Sequence, residues 1–119
     1  MAFIYKTFST SHSISDTKET LVNNGVSTDE LYIRMIHLHN IDESNSVTVE
    51  GFLVPNVSGA VGTWNANDRF VKKTLSAGES VTFEYPVPGI ILEHNDRLEF
   101  VADVAGRCNA IITGGRNYA

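Results

Sequence analysis

The chain has 119 residues, 42% of them hydrophobic and 19% charged, with a formal net charge of −5. That describes one globular domain, large enough to fold without a metal or disulfide and too apolar to be disordered. The acidic balance argues against a nucleic-acid partner, because the nine basic residues are scattered and only Lys72 and Lys73 are adjacent.

The single cysteine, Cys108, rules out an intramolecular disulfide and reads as a small buried hydrophobe. Met1-Ala2-Phe3-Ile4 runs into Tyr5, Lys6 and Thr7, not into the apolar core of a signal peptide. Nothing approaches the roughly 20 apolar residues of a membrane span. The expectation is a protein made and folded in a cytoplasm, with no membrane partner.

In chain order, Phe3 to Phe8 has strand chemistry and predicts an edge strand or an arm over residues 1–14, ahead of a sandwich over 15–119. Asp16 to Val22 reads as a short second strand, closed by the turn former Asn23-Asn24-Gly25. Ser27 to Glu30 has the look of a helix cap, but no helical apolar stripe follows it. Leu31 to Asn40 is the most apolar strand. Strict alternation puts Leu31, Ile33, Met35, His37 and His39 on one face and Tyr32, Arg34, Ile36, Leu38 and Asn40 on the other. Apolar residues on both faces predict a central strand, or one covered by another subunit. The turn Asp42 to Ser46 and the alternation of Val47, Val49 and Leu53 make 31–40 and 47–54 read as a hairpin.

Pro55 to Asn67 is a Gly/Asn/Ser-rich loop holding the one tryptophan, Trp64. Trp64 reads as a lid on a sheet end, as an anchor in a partner interface or as a sugar-stacking platform. Phe70 to Leu75 returns to strand pattern. Three further runs follow, over 81–85, 97–104 and 108–113, broken at Gly78, at His94-Asn95-Asp96 and at Gly106. Short strands at this spacing predict an all-β antiparallel sandwich or jelly roll of seven or eight strands. Its expected core is Val47, Val49, Leu53, Val81, Phe83, Leu98, Phe100, Ala110 and Ile112.

The chemistry-bearing residues assemble into little. His37 and His39 have the i, i+2 spacing of two imidazoles on one metal, with Glu43 and His94 as further candidates, but the glycine spacing of cupin motifs is absent. No serine carries a nucleophile-elbow signature, and Cys108 lacks one too. Asp42, Glu43, Asp96 and Glu99 read as solvated carboxylates of turns and outward strand positions. The expectation is no enzyme, no cofactor and no metal.

A broader likeness rests on three stretches. Ile36 to Asp42 ends a strand in Asn-Ile-Asp before Val47-Thr48-Val49. Leu75 to Ser80 makes a Gly-Glu-Ser turn ahead of the proline-bearing Pro86 to Leu92. Asn95 to Phe100 and Ile111 to Gly114 close the pattern. Over residues 15–114 this arrangement resembles the small β-sandwich virion proteins of tailed bacteriophages. The resemblance implies a structural role: a capsid decoration (cement) protein, or a neck, tail or fibre component. It brings no catalytic residues. The implied partners are the chain itself, as a trimer or larger ring, and a phage major capsid or tail protein. The candidate interface residues are Phe3, Tyr5, Tyr32 and Trp64. The competing expectation is a carbohydrate- or receptor-binding module that uses the Trp64 loop.

Overall fold

The computed structural model describes residues 2–55 and 68–118. The described residues form nine strands: β1 (Ala2–Ser13), β2 (Glu19–Asn23), β3 (Glu30–Asn40), β4 (Val47–Val54), β5 (Arg69–Leu75), β6 (Ser80–Glu84), β7 (Ile90–Leu92), β8 (Arg97–Ala102) and β9 (Cys108–Tyr118). One sheet has the order β1-β9-β3-β6, with β7 also on β3; the other has the order β2-β8-β4-β5. Every pairing is antiparallel. The fold is an all-β sandwich.

Its connectivity differs from the expected hairpins. β3 and β4 lie in different sheets, as do β8 and β9, so each connection crosses the sandwich. The same holds for β1 to β2 and for β5 to β6. These four pairs of successive strands lie in opposite sheets across the core, whereas β4 and β5 pair directly, an arrangement of jelly-roll type. Alternation in sequence marks which side of a strand is buried; it does not say which strand lies alongside.

The two inner faces meet in a core that includes Val47, Val49, Leu98, Phe100, Ala110 and Ile112, all fully buried. Leu53, Val81 and Phe83 pack against it while partly exposed. Phe70 meets Phe100 edge to face with ring centroids 6.2 Å apart, a favoured aromatic geometry.

In β3 the register against β9 shifts between Ile33 and Met35. Arg34 is the extra residue of this bulge, and the strand changes phase around it. Leu31, Ile33, Ile36, Leu38 and Asn40 are buried, while Tyr32, Arg34, Met35, His37 and His39 are only half-buried on the other side. The large aliphatic side chains therefore share one face. The apolarity expected on both faces of this strand resolves without a covering subunit.

Two buried asparagines hold the ends of β3. The Asn40 amide donates to the carbonyls of Asn45, Leu75 and Ser76, and its oxygen accepts from the Asp42 N–H. The Asn24 amide donates to the carbonyls of Asp29 and Leu92. Each satisfies carbonyls at a strand end and in the neighbouring connections.

Glu99 corrects a second expectation. Its partner across the ladder is Phe52, on the side of β8 opposite Leu98 and Phe100, yet it is 0% exposed. It accepts a 2.5 Å charge-assisted bond from Arg97, itself 7% exposed. Phe52 and Val54 beside them are also buried. The outward position is right, and the solvated environment is not.

Candidate interaction surface

The exposed face of the β1-β9-β3 sheet gathers what the sequence left scattered. Tyr5 and Tyr32 both pair with Gly115 of β9, one from each side. The two tyrosines therefore stand on one row, two inter-strand spacings or roughly 9.5 Å apart, with no side chain between them. Ile91 of β7 continues the row as the partner of Tyr32. Tyr5 is 86% exposed and Val87, in the β6–β7 connection, is 76% exposed. Ile91 is exposed as well, so this end of the sheet concentrates large apolar side chains at the surface, while Ile4, also exposed, stands on the opposite face of β1.

Arg34 lies at the centre. It lines three open hollows: one of about 490 Å³ with Tyr5, Lys6, Thr7, Thr113 and Gly114; one of about 570 Å³ with Met35, Glu84, Tyr85 and Pro86; and one of about 190 Å³ with Tyr32, Val87, Pro88 and Asn117. The bulge aims Arg34 outward, and Tyr85 holds it from both directions. Arg34 Nε donates to the Tyr85 carbonyl at 3.1 Å, and the Tyr85 N–H donates to the Arg34 carbonyl at 2.9 Å. Tyr32 is fixed by donating from its hydroxyl to Glu30 at 3.0 Å and accepting from the Asn117 amide at 3.5 Å. Burial raises the Tyr85 phenol above its ordinary pKa, so it stays protonated at neutral pH.

Of the expected interface residues, the structure brings Tyr5 and Tyr32 together. Phe3 belongs to β1, but its side chain lies outside the described residues, and so does Trp64 with its loop. Sequence reading missed Arg34, Val87, Pro88 and Asn117. Arg34 had one usable signal, a polar residue that interrupts an apolar strand where a bulge re-phases it.

The expected histidine pair occupies the same outer face, farther along β3. His37 Nδ1 is 2.7 Å from Thr82 Oγ1 and His39 Nδ1 is 2.6 Å from Ser80 Oγ, each pair spanning β3 and β6. Glu43 lies in the turn after β3. His94 follows β7, which pairs with the start of β3, so it sits at the opposite end of the strand from His39. Among the described residues no group of three or more His, Cys, Asp or Glu is placed to hold a metal. Cys108 is fully buried, and burial pushes its thiol pKa up to about 11. It is not an activated nucleophile.

No protein-family model matches the chain, and no curated protein matches it significantly. Solved structures do. One is of the disulfide-linked pili that form Bacillus endospore appendages, at 13% identity and TM-score 0.52, covering 98% of this chain and 88% of that one. Another is of Desmodium yellow mottle tymovirus, at 11% identity and TM-score 0.56, covering 96% and 82%. At these identities the likeness is one of fold.

Proposed function

We propose that this chain is a non-enzymatic structural subunit of a tailed-phage particle, a capsid decoration (cement) protein that stabilises the shell by protein–protein contacts. The observation that carries the reading is the Tyr5–Gly115–Tyr32 row with Arg34, Val87 and Ile91 around it. It is an apolar and aromatic surface with an anchored arginine on a hydrogen-bonded sheet, the composition of a docking face. The fold agrees with this role, since two of the structures that share it come from a virus and from pili. Neck, tail or fibre placement is the alternative within the same role.

Self-association in closed symmetry, expected from the sequence as a trimer or larger ring, belongs to the same reading. It is non-covalent. The pilus relative is disulfide-linked, whereas the one cysteine here is buried and protonated. Co-sedimentation of the purified chain with phage particles that lack it tests the role. Binding that saturates at a fixed ratio to the major capsid protein is expected, and loss of that binding in Tyr32→Ala with Arg34→Ala. Failure to bind any particle would contradict it.

A further inference from the structure

We propose that β1 is the self-association element, pairing edge to edge with β1 of a second copy about a two-fold axis centred on Tyr5. The proposal rests on the structural-subunit reading and names one of its contacts.

An open strand edge leaves a row of unpaired N–H and C=O groups, and folded proteins protect such edges with charge, proline, bulges or shortness. The two sheets have four edges, and three carry such protection. The β6–β7 edge is interrupted by Pro86 and Pro88, which have no N–H to offer. The β5 edge carries Arg69, Lys72 and Lys73. The β2 edge spans only Glu19–Asn23 and contains a register shift. The fourth edge is β1. Its second half is protected, with register shifts after Thr7 and after Ser9 and a positive φ of 46° at Ser11.

Its first half has one such device, the charge of Lys6, and neither a bulge nor a proline. Ala2 to Thr7 pair residue for residue with Tyr118 to Thr113 without a break. Among the described residues β1 pairs with β9 alone, and Lys6 is the one charge in this run. Ile4 and Tyr5 at its middle are 42% and 86% exposed. A regular, nearly uncharged edge bearing exposed apolar side chains is a template for another strand.

The same run supplies that strand. Antiparallel pairing of two identical segments is two-fold symmetric, so each copy is both template and addition. Register follows from charge. A centre on Lys6 would set two lysines opposite each other, which destabilises a pair. A centre on Tyr5 sets Tyr5 against Tyr5, Ile4 against Lys6 and Phe3 against Thr7, all within the regular run. The two five-stranded sheets then become one continuous sheet. This contact makes a dimer, and with a second contact it builds a ring of dimers.

Sedimentation equilibrium of the full chain tests it with two variants. Tyr5→Lys places like charges across the axis at a position exposed enough to leave the fold intact. The expected result is a self-association constant weakened about tenfold or more, with an unfolding midpoint unchanged at dilutions where both chains are monomeric. Tyr5→Cys should give a disulfide-linked dimer under mild oxidation, because directly opposed residues lie about 4.5–5.5 Å apart. If the wild-type chain associates, Tyr5→Lys associates equally well and Tyr5→Cys does not cross-link, the β1 contact is wrong while the subunit reading stands. A wild-type chain that stays monomeric at millimolar concentration overturns the contact and the self-association it serves.

Discussion

The Tyr32 carbonyl oxygen occupies the place where a side chain at position 114 would begin. A Cβ built on Gly114 stands 1.7 Å from that oxygen, a contact no side-chain movement relieves because the obstacle is backbone. This close approach sits beside the bulge that turns Arg34 outward, so one glycine permits both the strand pairing and the hollows above it. Gly114→Ala should cost about 3 kcal/mol in urea unfolding. Gly25→Ala, where nothing lies within 4 Å, should change stability by less than about 0.5 kcal/mol. Equal effects at the two positions would contradict the packing described.

The buried Arg97–Glu99 pair predicts a non-additive series. Arg97→Met alone takes the guanidinium away from the fully buried Glu99 carboxylate and should cost about 3–5 kcal/mol. The double variant Arg97→Met with Glu99→Gln removes the buried negative charge as well and should be more stable than Arg97→Met. A double-mutant cycle by chemical denaturation reads the difference. Additive losses would mean that the two groups do not depend on each other.

Cys108 should be silent in the native state. With no exposed surface and a pKa of about 11, its thiolate is negligible at pH 8. Native protein should not react with a thiol reagent such as dithionitrobenzoate, and one equivalent should react after unfolding in urea. Prompt native reaction would place Cys108 at the surface.

Asp42 sets the sign of one acid effect. N–H groups of Ser44 and Asn45, then the Asn45 side chain, hold its carboxyl below the usual pKa, with Arg107 adding to the shift. A folded-state pKa below the unfolded value contributes stability above the unfolded value, lost as pH falls through the folded one. The stability difference between wild type and Asp42→Asn should therefore shrink below about pH 4. A difference that grows on acidification would reverse the assignment.

Much of the fold was legible because alternation is local. Val47 and Val49, Leu98 and Phe100, and Ala110 and Ile112 each lie two residues apart on a strand, and all are buried. Strand partners were not legible, since Ile36 meets Ile112 and Phe83 across long stretches of sequence. The bulge at Arg34 was not legible either. One inserted residue reverses the faces of everything after it, and the charge of Arg34 marks the place in Leu31 to Asn40 without telling that a residue is inserted there. The candidate surface was half visible. Tyr5 and Tyr32 stand out as aromatic residues, but only the ladder shows that Gly115 joins them.

The structural role is tested most directly by the copy number of the chain in purified particles. Quantitative mass spectrometry after gradient purification and a high-salt wash should find it at a fixed integer ratio to the major capsid or tail protein. A chain left wholly in the lysate, with none retained in intact particles, would contradict a role as a particle subunit.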